Sequence, residues 1–217
     1  MRLIALVLSC AALVSAAAEK AEPLTEEQVK MLWSDLADGN KRFVDGACQP
    51  RAVVDQRKAL ASGQKPKFIV LACADSRVSP ELVFDKTLGE LFVVRIAGNI
   101  ADKTALGSIE YAVEHLESKM IVVLGHEKCG AVAAAASGEE MPSNNLKELV
   151  KKIRPALKNV PADADDLALA QVRANVKQSA ADILKNSEIL KKAAEHKKIS
   201  IVPAVYKLES GSVEKLE

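Results

Sequence analysis

Four short, uninterrupted apolar runs constrain this chain more than any other feature: Phe68-Ile69-Val70-Leu71, Leu91-Phe92-Val93-Val94, Met120-Ile121-Val122-Val123-Leu124 and the segment Ile199 to Tyr206. Each is far too short to cross a membrane as a helix. None alternates apolar with polar residues as a strand with one wet face does. Runs that are apolar on both faces fit strands covered on both sides, the usual condition of a parallel sheet. Composition agrees: hydrophobic residues make up 49% but aromatics only 3%, so the core must be built from Ala, Val, Leu and Ile. That palette suits helices packed on a parallel sheet better than an aromatic-rich sandwich. Pro203, inside the fourth run, marks an edge position or a bulge, because proline cannot donate to a ladder.

Helical patterns separate and flank these runs. Thr25-Glu26-Glu27-Gln28 is a capping-box sequence, and Val29, Leu32, Trp33, Leu36 and Phe43 follow at helical spacing. Further helices are expected over about 53–61, 104–116, 129–136, 146–157 and 165–186. The last carries one apolar stripe of Leu169, Val172, Val176, Ala180 and Ile183. A short strand at 212–216 returns as a hairpin through Glu209-Ser210-Gly211. The expected class is α/β: a central, mostly parallel sheet of about four strands plus a C-terminal edge strand, flanked by helices. Residues 19–217 are expected to form a single domain.

Met1-Arg2 followed by the apolar run Leu3 to Val14 and the small residues Ser15 to Ala18 reads as a secretory signal peptide, residues 1–18, with cleavage before Glu19. Processing as a lipoprotein at Cys10 is the weaker alternative, because Leu8 fits that site poorly. The chain is therefore expected to be exported, periplasmic or secreted, with no stable membrane anchor. Removing residues 1–18 takes away one basic residue, Arg2, and leaves 29 charges of each sign. Such a balance calls for neither nucleic acid nor an anionic membrane as partner.

Two clusters carry the chemistry: Cys73-Ala74-Asp75-Ser76-Arg77 and His126-Glu127-Lys128-Cys129-Gly130. Two thiolates, an imidazole and a carboxylate make a full tetrahedral donor set for Zn²⁺. Arg77, two residues from Asp75, could draw that carboxylate off the metal and free a position for water, which a purely structural zinc site would not need. The strand assignments put Cys73 and Asp75 beyond the C-terminal end of one strand and His126 at that of another, where open parallel sheets bind ligands. Cys129 is expected in the first turn of the next helix, where the helix N-terminus favours a thiolate. A Cys73–Cys129 disulfide with Cys48 left over is the competing reading for an exported chain. It leaves His126 and Asp75 without a role, and metal is preferred. Cys48, in a polar loop, reads as a free thiol. His115 and His196 have no companions.

On these residues the chain resembles the β-class carbonic anhydrases. The family's C-x-D-x-R is present as Cys73, Asp75 and Arg77, and its H-x-x-C as His126 and Cys129. The stretch Gly89 to Arg95 followed by Ala97-Gly98-Asn99 looks like the family's middle segment. The resemblance implies Zn²⁺ held by Cys73, His126 and Cys129. Asp75 would either fill the fourth position or turn to Arg77. It further implies reversible hydration of CO₂ to bicarbonate and a proton, by zinc-bound hydroxide oriented by the Asp75–Arg77 dyad. By the same resemblance Gln64, Phe92, Ala97, Gly98 and Tyr111 match substrate-pocket positions of the members with an open site. The N-terminal helix is expected to pack on a neighbouring subunit in a homodimer or higher homo-oligomer. Two alternatives stand beside this reading: hydrolysis of carbonyl sulfide or carbon disulfide on the same site, and a non-catalytic zinc or redox domain using Cys73 and Cys129.

Overall fold

The structure, a computed structural model, describes residues 22–217; the segment read as a signal peptide, with Cys10, lies outside the described residues. The four apolar runs are strands β1 (Phe68–Ala72), β2 (Leu91–Arg95), β3 (Met120–His126) and β4 (Ser200–Tyr206), and β5 (Val213–Lys215) is the C-terminal return. They form one sheet in the order β2-β1-β3-β4-β5, parallel throughout except for the antiparallel β4–β5 pair. The pairing of β3 with β4 runs in unbroken register from Met120 opposite Ser200 to His126 opposite Tyr206, so Pro203 causes no bulge. It sits at the end of the β5 ladder, which pairs only with Ala204 to Tyr206; the Pro203 carbonyl still accepts the Leu216 N–H, and no ladder continues beyond it on that side. Of the two positions open to a strand proline, this is nearer the edge.

Successive residues of each strand point to opposite faces, and both faces are buried in the central strands β1 and β3, while the edge strands β2 and β5 are only partly covered. Ile69, Leu71, Ile121, Val123 and Val205 face a core formed with the helices α4 (Lys103–Leu116), α5 (Gly130–Ser137), α6 (Asn144–Leu157), α7 (Leu167–Asn186) and α8 (Glu188–Glu195). Phe68, Val70, Ala72, Met120, Val122 and Leu124 face the other core, capped by α1 (Glu26–Val44) and the short α3 (Pro80–Val83). Burying each such side chain contributes roughly 1.5–3 kcal/mol, which is why continuous apolar runs, rather than alternating ones, specify this arrangement. The capping box at Thr25 and Gln28 is formed as the sequence implied. The remaining helix, α2 (Val53–Ala59), tightens into a 3₁₀ turn at Leu60–Ser62.

Two departures from the sequence reading bear on the site. Cys129 is the N-cap of α5 rather than a member of its first turn. The long C-terminal helix is followed, after a break at Ser187, by the separate helix α8, because the Ser187 hydroxyl accepts the Leu190 N–H and starts a new helix. Among the described residues no helix is long and apolar enough to cross a membrane.

α7 approaches the C-terminal end of β3, next to His126, unusually closely at Gly125. A Cβ on that residue would lie 2.3 Å from Val176 Cγ2 of α7, so only glycine lets the helix sit here.

Candidate metal centre

The parallel pairing of β1 with β3 brings together residues far apart in sequence. Cys73 follows the last residue of β1, and His126 is the last residue of β3. Cys129 is reached three residues on, through Lys128 in the left-handed region at φ 53°. The three side chains are buried, and one donor atom from each, the two Sγ and a His126 ring nitrogen, lie within 4.8 Å of one another. The sulfurs are 4.0 Å apart and the cysteines are free thiols, so the disulfide alternative does not hold. Tetrahedral zinc with Zn–S bonds of about 2.3 Å would hold two sulfurs about 3.8 Å apart, close to the distance found.

His126 is presented for ligation. Its Nδ1 lies 2.8 Å from the Glu127 carbonyl and donates to it, which leaves the Nε2 lone pair facing the sulfurs. Nε2 is buried and has no hydrogen-bond partner, a costly arrangement for a polar atom unless a cation takes it. The two thiols compete for charge. The hydrogen bond with Cys129 lowers the Cys73 thiol to about 4 against its burial, with His126 and the Gly98 N–H adding to the effect. That same bond, with burial, pushes Cys129 up; the Ala131 and Val132 N–H groups at the start of α5 favour its thiolate as expected, but are outweighed. Burial works against charge on His126, but the Cys73 sulfur beside it outweighs this and raises its pKa. A dication is the partner that lets both sulfurs be thiolates at once.

Asp75 projects to the rim. Its carboxylate accepts from Arg77 Nε at 2.9 Å and Nη2 at 2.7 Å in a two-pronged pair, and from the Arg77 backbone N–H at 2.9 Å. The Arg77 hydrogen bond holds the Asp75 carboxyl well below the usual carboxylate range. Its Oδ2 lies 3.8 Å from His126 Nε2, so the group paired with the arginine also borders the donor cluster.

Two further residues shape the site and were not singled out from sequence. Arg95, at the end of β2, donates from Nε to the Cys73 carbonyl at 3.0 Å and from Nη2 to the Asp75 carbonyl at 2.6 Å, pinning the loop that carries both. Asn175 of α7 donates to the Gly98 carbonyl at 2.8 Å. The stretch Gly89 to Arg95 was noted as a motif, but nothing local distinguishes Arg95 from a solvated strand end.

The expected pocket residues divide. Ala97 and Gly98 form a 3₁₀ turn with Asn99 beside the cluster, and the Gly98 N–H donates to Cys73 Sγ at 3.3 Å. Phe92 is half-buried on β2 against the helix-side core. Gln64 is exposed in a surface cavity with Leu60 and Gly89, and Tyr111 is 50% exposed and lies against His115 with ring centroids 5.0 Å apart. Neither makes a hydrogen bond to the donor cluster within one chain, and His115 is not part of that cluster.

A family profile described as carbonic anhydrase matches residues 68–213, from β1 into β5. Carbonic anhydrase 2 of Mycobacterium tuberculosis is 38% identical over 183 residues, spanning 82% of this chain and 88% of that protein. A carbonic anhydrase of Pseudomonas aeruginosa is 35% identical over 194 residues, spanning 84% and 87%. Among solved structures, the β-carbonic anhydrase of Coccomyxa in complex with acetazolamide superposes with a TM-score of 0.68 at 28% identity, covering 88% of this chain and 84% of that one. A tetrameric β-carbonic anhydrase of Sordaria macrospora shares the fold with a TM-score of 0.68 at 23% identity, covering 86% and 97%.

Proposed function

The chain belongs to the β-class carbonic anhydrases and is an enzyme of that family, and from this membership we propose that it carries out zinc-dependent, reversible hydration of CO₂ to bicarbonate and a proton. The observation that carries the proposal is the buried Cys73–His126–Cys129 cluster, with its donor atoms within 4.8 Å and the Asp75–Arg77 pair on its border. Zinc bound by these three side chains supplies a Lewis acid that makes water a nucleophile toward carbon.

The chain's own residues then have distinct work. Cys73 and Cys129 offset the charge of the dication, and His126 is held in the correct tautomer by the Glu127 carbonyl. Asp75, kept ionised by Arg77, is a standing hydrogen-bond acceptor that orients the attacking water and does not store its proton. Water adds across one C=O bond, a C–O bond forms as the π pair moves to oxygen, and the proton leaves to solvent. Arg77 holds the Asp75 carboxylate at the border of the cluster, paired with the guanidinium rather than among the donors, an arrangement that would leave room for water and CO₂. The Gly98 N–H, in the same turn as Ala97, borders Cys73.

Among the described residues, Gln64 and Tyr111 make no hydrogen bond to the donors of their own chain, and β2 has no strand on its outer edge. Both features support assembly of a homodimer or higher oligomer in which a second copy completes the pocket. Residues 1–18 support export, with 19–217 as the mature domain. Stopped-flow CO₂ hydration by the zinc-loaded chain from Glu19, with metal content measured on the same sample, tests the proposal. Fast turnover with one zinc per chain is expected, and full zinc without turnover even at alkaline pH would overturn it. Turnover of carbonyl sulfide or carbon disulfide by the same sample would then identify the alternative substrate.

A further inference from the structure

We infer that Asn175, on α7, is a positioning residue for the metal centre, acting on Cys73 through the Gly98 turn. The inference rests on the zinc reading above. Asn175 is 1% exposed, in the middle of a helix that packs mainly through Val172, Val176 and Ile183. Burying an amide costs free energy unless it is bonded, and on this helix an apolar residue would pack without that cost. Its Nδ2 reaches across to the Gly98 carbonyl, 77 residues away in sequence. Gly98 in turn donates its N–H to the Cys73 sulfur.

The turn needs such an anchor. Gly98 and Asn99 are consecutive residues in the left-handed region, at φ 69° and φ 45°. Glycine reaches that conformation freely but is equally free to leave it, and asparagine occupies it at a cost. The turn's internal hydrogen bonding is slight: Asn99 N–H donates to the Ile96 carbonyl, while the buried Asn99 Nδ2 has no partner. Packing on one side comes from Ile153, whose Cδ1 lies 2.7 Å from where a Gly98 Cβ would be. The Asn175 amide holds the other peptide face. Gly125 sets the depth at which α7 docks and thereby brings Asn175 within reach. Fixing the Gly98 N–H on the sulfur fixes the rotamer of Cys73 and withdraws charge from its thiolate. This is the means by which groups beyond the ligands tune a metal site, and their loss typically weakens metal binding by about 10–100-fold.

The test compares Asn175→Leu, which keeps the branched outline of four side-chain heavy atoms and removes the donor, with Ile183→Ala, a buried change on the same helix with no link to Gly98. Zinc affinity is measured by competition with a chromophoric chelator, and the thiolate-to-cobalt charge-transfer band is recorded on cobalt-loaded protein. Asn175→Leu is expected to weaken zinc binding by about tenfold or more and to shift the band, while Ile183→Ala lowers stability and leaves both unchanged. Equal affinity and band position in the two variants would overturn the inference. Asn175→Ala, which removes the amide donor without adding bulk or charge, is read the same way where the leucine variant does not fold. Independently, the Gly98 amide proton of ¹¹³Cd-loaded wild-type protein is expected to couple to the metal through the N–H···S bond, and no coupling would overturn the inference without any substitution. Failure of the wild-type chain to take up zinc refutes the underlying reading. Normal uptake with an unaffected Asn175→Leu refutes this inference alone.

Discussion

Substituting Gly125 by alanine isolates the contact that seats α7 on the ligand end of β3. The new Cβ would stand 2.3 Å from Val176 Cγ2, whereas carbon atoms in ordinary contact lie about 3.5–4.0 Å apart, so a gap of roughly 1.5 Å must open. Val176 is fully buried and stiff at χ1, so the strain passes to the backbone of α7 rather than to a rotamer. Overpacking of this kind costs about 1–3 kcal/mol. Val176→Ala alone removes two carbons from the core, roughly 1.6 kcal/mol of transfer free energy plus a contribution for the hole. In the double variant the added methyl has no Val176 side chain to meet and fills part of that hole. Its cost should therefore fall below the sum of the single costs by at least about 1 kcal/mol. Urea unfolding at fixed protein and excess zinc concentration reads the three midpoints. Additivity within about 0.5 kcal/mol would refute the claim that this one contact sets the docking depth.

Asp75→Asn should retain zinc but lose CO₂ hydration by on the order of 100-fold or more, measured by stopped flow with metal analysis, since an amide cannot replace the charged acceptor paired with Arg77. The Asp75 carbon signal should show no titration step as pH falls from 7 through 4, because Arg77 depresses its pKa; a normal step near 4 would refute the pairing in solution. Activity of the zinc-loaded enzyme should climb with pH on the alkaline side. Two thiolates offset the dication's charge and leave water less acidic than the value of about 7 found beside three histidines, so a flat profile would count against the Cys₂His set. Asp85, with its side chain 1% exposed, accepts from Arg42, Arg51 and the Gln49 N–H, and its pKa is lowered because these partners outweigh its burial. Its contribution is therefore present above the unfolded Asp value of about 3.9 and lost as pH falls through the lower folded value. Asp85→Asn should cost about 2 kcal/mol in urea unfolding at pH 7, with the difference from wild type shrinking below pH 4.

The sheet was legible because its strands are buried on both faces and so leave continuous apolar runs, a signal carried within each segment. The same holds for the ligands: Cys73 with Asp75, and His126 with Cys129, sit at strand ends, where the pattern alone predicts they meet. What escaped depends on the third dimension. Arg95 and Asn175 look like an ordinary solvated arginine and a polar interruption of a helix until their donors are seen on the Cys73, Asp75 and Gly98 carbonyls. The four-residue α3 is too short for helical periodicity to register, and α8 was hidden because Ser187 ends one helix and caps the next. Gln64 and Tyr111 entered through resemblance alone, and their places in the chain carry no contact that would have suggested them.

Because β1 and β3 must lie side by side before Cys73 and His126 can meet, 53 positions apart, the order of events in biosynthesis is constrained. A chain emerging from the ribosome presents first a lone thiol and carboxylate, and only after residue 129 the imidazole and second thiol. Even then β4, which flanks His126 through Tyr206, has still to be made. A chain threaded unfolded across a membrane therefore cannot carry its ion with it. For an exported chain that holds a metal as proposed above, the compartment of folding rather than that of translation would decide which ion it receives.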